Sequence, residues 1–196
     1  MKYGTKKKNI GILGGTFDPP HEGHIKISNL AITSLGLEEI WWVISIANPL
    51  KKKHEISDYE KRLVKVKKII IGKKILLYDV QKSLKSSYAI DNINYFKKKY
   101  SKLNFVWIMG VDNIENFHQW KDWKSIFKKI PIAVFNRPFY STNLFKSKSF
   151  NLFKKYRIRK SKSKKLKSIR TPSWVFINGW VNYQSSKNLK SNKNHE

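Results

Sequence analysis

The stretch at residues 14–24, GGTFDPPHEGH, constrains this chain more than any other feature. It follows a short apolar run at residues 10–13, which predicts a buried strand, and precedes an amphipathic segment at residues 25–35, which predicts a helix. Two glycines and two histidines therefore lie in a strand-to-helix loop. Because backbone amides and a helix N-terminus attract anions at such a loop, the sequence predicts a phosphate-binding site.

The glycine-rich half of this loop suits a close approach of phosphate. Gly14 and Gly15 have no Cβ atom, so the backbone can come near a triphosphate. Thr16 and Phe17 can offer their backbone amides as hydrogen-bond donors. We expect all four residues to bind phosphate oxygens.

The second half of the loop carries a pair of histidines. His21 and His24 are three residues apart, so they share one face if the helix has begun. Their imidazoles can donate hydrogen bonds to phosphate oxygens, with more effect if protonated. A bare H-x-x-H pair is more often a pair of surface residues or metal ligands. The glycine-rich segment that precedes this pair, placed after a strand, favours the phosphate role.

The eleven-residue pattern resembles the GTFDPxHxGH signature of the nucleotidyltransferases, which move a nucleotidyl group from an NTP onto a phosphate. Class I aminoacyl-tRNA synthetases use a related HxGH element, but 196 residues leave no room for their anticodon-binding domains. The resemblance implies an α/β, Rossmann-like fold with a mostly parallel sheet and helices on both faces.

Hydrophobic patterning independently predicts βαβ units and a parallel sheet. Besides the helix at 25–35, we expect a helix opening with a capping box at Ser57 and Glu60. Further helices are expected at 87–100, at 112–127 as one or two short helices, near 150–159 and at 185–191. We expect one domain over residues 9–191, a basic, flexible N-terminus at 1–8 and a frayed tail at 192–196. The candidate strands are residues 10–13, 41–46, 75–78, 105–109, 131–135 and 174–177.

Later stretches resemble bacterial nicotinate-nucleotide adenylyltransferase in particular. The run SYAIDNI at 87–93 is similar to that family's SYTIDTL, and FVWIMGVDNI at 105–114 is similar to its strand followed by GADxL. The run FHQWKDW at 117–123 is similar to its FHxWxxW. The segments NPLK at 48–51 and PIAVFNRP at 131–138 also fit, so the resemblance spans about residues 9 to 190.

This resemblance implies a reaction and a set of site residues. ATP and nicotinate mononucleotide would react, with Mg²⁺, to give deamido-NAD and pyrophosphate. His21 and His24 would be catalytic, Asp112 would bind the nucleotide, and Trp120 would stack on the nicotinate ring. No protein side chain is identified as a metal ligand. The phosphate side would add Lys51, Ser185, Ser186 and Lys190 to the glycine loop, and the nucleotide and nicotinate side would add Ser87, Tyr88, Ala89 and Gly110.

Some of these assignments have simpler alternatives. An isolated Asp112 after a strand could equally be a helix N-cap. The tryptophans within the predicted strands, Trp41, Trp42, Trp107 and Trp174, are interpreted as core. At the C-terminal end the family's ISSTxLR is replaced by QSSKNLK at 184–190, so Lys187 and Lys190 stand where Thr and Arg are usual. Lysine supplies charge but not the bidentate fork of arginine.

Composition bounds the remaining function classes. The net charge is +28, which suits nucleic-acid binding, but only five of the 41 basic residues are arginine, and A/T-rich codons explain much of the lysine excess. No apolar run is long enough to span a membrane, and the chain has no cysteine, which fits a cytoplasmic enzyme. Alternatives are a nicotinamide mononucleotide or phosphopantetheine acceptor and a basic nucleic-acid-binding protein. A homo-oligomer is left open.

Overall fold

The computed structural model describes residues 7–46, 56–79, 84, 86–136 and 147–178. These residues form a seven-stranded sheet in the order β3-β2-β1-β4-β5-β7-β6, and every strand pair in it is parallel. The strands are β1 (Asn9–Gly15), β2 (Glu39–Ile44), β3 (Ile75–Tyr78), β4 (Asn104–Gly110), β5 (Ile132–Phe135), β6 (Arg157–Ile158) and β7 (Trp174–Ile177).

Helices connect most of these strands. They are α1 (Glu22–Leu35), α2 (Tyr59–Ile70), α3 (Ala89–Lys99), α4 (Trp123–Lys129) and α5 (Lys148–Leu152). Short 3₁₀ segments lie at Val111–Asn113, Phe117–Gln119, Lys154–Tyr156 and Lys160–Ser168. None of the helices in the described part of the chain is long and apolar enough to cross a membrane.

The two faces of the sheet carry separate hydrophobic cores because side chains alternate along each strand. On β4, Trp107 and Met109 lie in one core and Val106 and Ile108 in the other. Helices α3 and α4 cover the first core, and α1 and α2 cover the second. The expected Rossmann-like α/β fold with helices on both faces is therefore confirmed.

The order of strands changes direction at β1, which places the site. Strand β1 pairs with β2 as far as Gly15, but with β4 only as far as Leu13 and Ile108. The carboxyl ends of β1 and β4 therefore part from each other. In open parallel sheets, ligands bind in the crevice at such a switch point.

The six predicted strands are all present, with bounds that differ by at most two residues from those expected, and those at 75–78 and 174–177 match fully. The helix expected near 150–159 is wrong beyond residue 152, where the chain enters a 3₁₀ turn and then β6. Strand β6 was not predicted because its two residues carry no hydrophobic pattern of their own. Its pairing with β7 places it at the sheet edge.

The N-cap of α2 also corrects the sequence-based expectation. Asp58, not Ser57, caps this helix, since its carboxylate accepts hydrogen bonds from the amides of Glu60 and Lys61. Ser57 instead donates its own amide to the Asp18 carboxylate at 2.8 Å. The loop after β1 and the start of α2 are thereby joined.

We expect Asp58→Ala to lower the free energy of unfolding by about 1 kcal/mol, because two amides of the first turn of α2 lose their acceptor. Ser57→Ala is the matched control and should change it by less than about 0.5 kcal/mol, since its backbone amide still reaches Asp18. Urea unfolding of both variants measures the difference. A larger loss for Ser57→Ala would show that Ser57 is the functional cap.

Candidate active site

A cavity of about 350 Å³ opens where the carboxyl ends of β1 and β4 separate. Residues from separate stretches of the sequence meet there: the end of β1, the segment after β2, the start of α3, and β4 with the residues that follow it. The lining comprises Gly14, Gly15, Thr16, Val43, Ser45, Ser87, Tyr88, Ala89, Asn92, Trp107, Asp112, Asn113, Asn116, Gln119, Trp120 and Lys121.

The structure brings many of the expected site residues together. Those that line the cavity are Gly14, Gly15, Thr16, Ser87, Tyr88, Ala89, Asp112 and Trp120. Four expected site residues lie outside the cavity lining. Three of them, His21, His24 and Phe17, lie on the α1 side of the glycine loop, and Gly110 lies at the end of β4. Lys51, Ser185, Ser186 and Lys190, together with Lys187, lie outside the described residues.

The two histidines begin helix α1 and are held against each other. His21 is the N-cap, and its Nδ1 accepts a hydrogen bond from the Gly23 amide at 3.0 Å. His24 lies three residues on, and its Nδ1 accepts from the His21 amide at 3.3 Å. Their ring centroids are 3.9 Å apart. The histidines therefore form a reciprocal capping box, the role that Ser or Thr with Glu or Gln fills in most helices.

This capping sets the tautomer of both rings. A nitrogen that accepts a hydrogen bond carries no proton, so each neutral imidazole holds its proton on Nε2. Protonation of either ring would break its capping bond. In this arrangement each ring accepts through Nδ1 and donates through Nε2.

Phe17 supports His24 with its side chain. Its ring is 1% exposed and stacks on Trp42 at 4.6 Å, and the His24 ring lies 4.9 Å from it. Phe17 has φ +48°, a left-handed conformation that turns the chain sharply after β1. The sequence predicted only a backbone role for Phe17, whereas the structure shows that its ring also fixes the position of a histidine.

Arg62 is a site residue that sequence reasoning missed. It lies on α2, is 1% exposed, and its guanidinium donates to four backbone carbonyls. Burial lowers its pKa, which the nearby Asp18 carboxylate partly offsets. The acceptors are the carbonyls of Thr16 at 2.7 Å, Ser45 at 2.9 Å, Ile46 at 2.9 Å and Ser57 at 2.9 Å.

Three backbone segments are thereby joined: the loop after β1, the end of β2 and the start of α2. Only a planar fork with several fixed donors can serve such a set of acceptors. The sequence held a signal for this role, because Arg62 is the only arginine before residue 137 in a chain rich in lysine.

Gly14, Trp107 and Trp120 form part of the cavity wall. Trp107 packs over Gly14, where a Cβ atom would lie 2.8 Å from its ring. Trp107 also meets Trp120 edge-to-face, with centroids 6.4 Å apart. Trp107 is buried as expected, but it also lines the cavity. Trp120 is partly exposed, as predicted.

The opposite rim combines a helix N-terminus with a cation. Tyr88 is the N-cap of α3, and its side chain makes no capping hydrogen bond. Lys121 lies 4.7 Å from the Tyr88 ring and 3.3 Å from the Asp91 carboxylate. The rim therefore joins the N-terminus of α3 to an ion pair between Lys121 and Asp91. Within the described ranges, no cluster of three or more His, Cys, Asp or Glu side chains could hold a metal ion.

Comparison with known proteins places this site in a family. The model of the cytidylyltransferase-like family matches residues 12–190, which cover the glycine loop, both histidines and the cavity lining. The chain belongs to the cytidylyltransferase-like family. The Rossmann-like sheet and the HxGH loop described above are thus parts of one family architecture.

Relatives within the cytidylyltransferase-like family carry a more specific name. A probable nicotinate-nucleotide adenylyltransferase of Agrobacterium fabrum is 34% identical over 183 residues, which cover 93% of this chain and 98% of that protein. One from a Ruegeria species is 32% identical over 181 residues, covering 92% and 95%. The structure of Plasmodium falciparum nicotinic acid mononucleotide adenylyltransferase complexed with NaAD superposes with a TM-score of 0.69 at 20% identity, covering 94% of this chain and 83% of that one. At that identity, the likeness shows a shared fold.

We expect Arg62→Lys to lower the free energy of unfolding by about 2–4 kcal/mol, because an ammonium cannot serve carbonyls on three segments and leaves buried acceptors unpaired. Amides of the loop at residues 14–17 should also exchange faster with solvent. Urea unfolding and hydrogen–deuterium exchange measure the two effects.

Lys61→Met is the matched control, since Lys61 is exposed on the same turn of α2. Lys61→Met should keep the free energy of unfolding within about 0.5 kcal/mol of the wild type. The amides of residues 14–17 should exchange at the wild-type rate. Unchanged stability and loop exchange in Arg62→Lys would show that Arg62 does not hold the loop.

Proposed function

We propose that this chain is a nicotinate-nucleotide adenylyltransferase, which joins ATP and nicotinate mononucleotide into nicotinate adenine dinucleotide (deamido-NAD) and pyrophosphate. One observation carries the proposal. A glycine loop, the N-terminus of α3 and the segment from Asp112 to Trp120 meet at a single cavity. The names of the bacterial relatives support the same reaction.

The reaction needs no general base. A phosphate oxygen of the mononucleotide, already ionised at neutral pH, attacks the α-phosphorus of ATP in line. A new phosphoanhydride bond forms there while the bond between the α-phosphorus and the bridging oxygen breaks, and pyrophosphate leaves. Catalysis of such a transfer consists of positioning and of stabilising negative charge on the phosphates.

The HxGH loop supplies donors for that charge. Both His21 and His24 use their Nδ1 atoms in capping bonds. Their Nε2–H groups would be the donors to the ATP phosphates. A preorganised donor of this kind needs no rearrangement as charge develops. Because capping sets the tautomer, the two histidines act as fixed hydrogen-bond donors.

Mg²⁺ enters this site as part of the substrate MgATP. Its preferred ligands are oxygens, which the triphosphate provides, and it neutralises phosphate charge. The glycine loop Gly14-Gly15-Thr16 would bind the triphosphate that carries the ion. Lys51, Ser185, Ser186 and Lys190 would complete the phosphate side, as the resemblance of their segments to the family's motifs implies.

The mononucleotide occupies the other half of the cavity. Trp120 offers a partly exposed ring for the pyridine, and Asp112 can accept hydrogen bonds from a ribose. The nicotinate carboxylate would meet the first amides of α3 near Ala89, where a helix N-terminus attracts anions. Lys121 adds positive charge at the same rim. An acid is therefore favoured over an amide.

These substrates and the absence of cysteine favour a cytoplasmic location.

Purified protein with MgATP should release pyrophosphate with nicotinate mononucleotide at a kcat/KM at least about tenfold above that with nicotinamide mononucleotide. The reason is that an ionised carboxylate makes charge-assisted hydrogen bonds worth about 1.5–3 kcal/mol, which the amide lacks. Phosphopantetheine forms the third arm of the screen. Equal rates with the two pyridine nucleotides would contradict the acid preference, and turnover of phosphopantetheine alone would contradict the acceptor class.

His24→Asn separates the two roles of this histidine. The asparagine Oδ1 can still accept from the His21 amide, but the Nε2–H donor is lost. We expect kcat to fall about 100- to 1,000-fold, the usual effect of removing one transition-state donor. The free energy of unfolding should fall by no more than about 1.5 kcal/mol, because the cap is kept and only the ring contacts with Phe17 and Trp42 are lost. His24→Ala is the comparison, because it loses the donor and the cap together. Full activity in His24→Asn would rule out His24 as a phosphate donor.

A further inference from the structure

Basic residues are concentrated at residues 154–170, which we call the basic segment. Its sequence is KKYRIRKSKSKKLKSIR, with ten of the 41 basic residues of the chain and no acidic residue. Three of the five arginines, Arg157, Arg159 and Arg170, lie in it. Codon bias raises the lysine content along the whole chain, so it explains neither this local concentration nor the arginines.

The fold presents most of these cations to solvent. In the 3₁₀ segment that follows β6, Ser163 and Leu166 are buried. The Ser163 hydroxyl donates to the Ser34 carbonyl at 2.7 Å, and Lys167 donates to the Gly36 carbonyl. These contacts hold the basic segment against the end of α1. Nine of its ten cations are exposed: Lys154, Lys155, Arg157, Arg159, Lys160, Lys162, Lys164, Lys165 and Arg170.

Part of the basic segment lines a second cavity, of about 320 Å³, beside β6 and β7. Its lining comprises Arg157, Ile158, Arg159, Lys160, Phe176 and Asn178, which include three cations and no carboxylate. The Arg157 guanidinium lies 5.8 Å from the centre of the Phe176 ring, and the Lys160 ammonium donates to the Asn178 carbonyl at 2.7 Å. This lining shares no residue with that of the cavity between β1 and β4.

Acidic side chains do not neutralise the basic segment within the described part of the chain. The two ion pairs found there are Lys8–Glu39 and Lys121–Asp91, and both lie outside the basic segment. In the sequence, residues 123–195 contain neither Asp nor Glu. Like charges so placed repel one another and disfavour the compact state. A bound polyanion would relieve that repulsion.

Clustered, exposed positive charge is the electrostatic footprint of a nucleic-acid-binding surface. The second cavity favours a nucleic-acid strand over a membrane, because a flexible strand can enter a concave surface and a lipid surface is flat on this scale. Membrane binding also uses exposed apolar side chains, and among the large ones at residues 147–178 only Leu152 is exposed. We propose that the basic segment binds the phosphate backbone of single-stranded nucleic acid. This binding goes beyond the proposed function and does not depend on it.

Protection of the sheet edge is a simpler role for some of these cations. Charged side chains on an edge strand discourage pairing with another sheet, and Arg157 lies on the edge strand β6. Lys162, Lys164 and Lys165 lie in the 3₁₀ segment and belong to no strand. Edge protection therefore does not account for them.

Two variants of equal charge test the proposal. The segment variant removes four exposed cations through Arg159→Gln, Lys162→Gln, Lys164→Gln and Lys165→Gln. The control variant removes four exposed cations of α2 through Lys61→Gln, Lys65→Gln, Lys67→Gln and Lys68→Gln. Helix α2 contacts β3, at the opposite edge of the sheet from β6. The two variants share one net charge and differ only in where charge is lost.

Fluorescence anisotropy with an oligouridylate of about 20 nucleotides, at about 50–200 mM salt, measures binding. We expect the wild type to bind with a Kd of about 1–100 μM near physiological salt, as non-specific binders do. Each contact with a single-strand phosphate adds about 0.7 to the slope of log K against log salt. The segment variant should therefore show a slope shallower by about 2–3 and a Kd at least about tenfold higher. The control variant should keep the wild-type slope to within about 0.7.

Three further measurements keep the comparison clean. The Tm of both variants should stay near that of the wild type, since surface substitutions cost little. If the segment variant does not fold, Lys162→Gln with Lys165→Gln should give about half its change in slope. MgATP at matched ionic strength should not displace the oligonucleotide, because the two cavities share no lining residue.

Each contrary result overturns the proposal in its own way. An equal loss of binding in the control variant would show that overall charge, and not the basic segment, attracts the strand. Displacement by MgATP would place the oligonucleotide in the cavity between β1 and β4. Binding to phosphatidylserine vesicles but not to the oligonucleotide would assign the surface to a membrane. A wild type that does not bind the oligonucleotide at all would also overturn it. Adenylyl transfer is a separate assay, and its absence would contradict only the proposed function.

Discussion

The buried guanidinium of Arg62 is the interaction on which this site depends. Its donors reach carbonyls on the loop after β1, on the end of β2 and on the start of α2. The four carbonyls that Arg62 meets lie beyond the strand ends and before the first turn of α2, so they need another partner. A single cation supplies it. In the same region, the Asp18 carboxylate accepts a hydrogen bond from the Ser57 amide. Its negative charge also attracts the Arg62 guanidinium.

The histidines show how the same atoms serve folding and chemistry. Each ring uses Nδ1 to cap α1 and is thereby committed to Nε2 as its proton-bearing nitrogen. Phe17 and Trp42 pack against His24 and restrict its orientation. Under the proposed function, these two rings would be oriented as donors before a nucleotide binds, which is the condition for electrostatic stabilisation of a transition state.

Local pattern was a good guide where one element is buried by its neighbours. The strand at 174–177 is buried along its whole length and follows from an apolar run, which is the composition of buried parallel strands. The sequence-based prediction was wrong where a contact between residues distant in sequence determines the local structure. Ser57 and Asp58 are both favourable N-cap residues. The Ser57 amide, however, donates to the Asp18 carboxylate, which lies 39 positions earlier in the sequence. Strand β6 exists only because β7 offers it a partner.

The sequence by itself determined the fold class and the family, because these depend on residue types at fixed spacing within short stretches, and it predicted a phosphate role for the loop at residues 14–24. Only the tertiary structure decided which residues share a cavity. Arg62 and Trp107 looked like an ordinary helix residue and an ordinary core residue. Their roles come from their surroundings in the fold: Arg62 donates to carbonyls of three segments, and Trp107 lines the cavity. The direction of a side chain toward distant partners is set by packing, which no local spacing encodes.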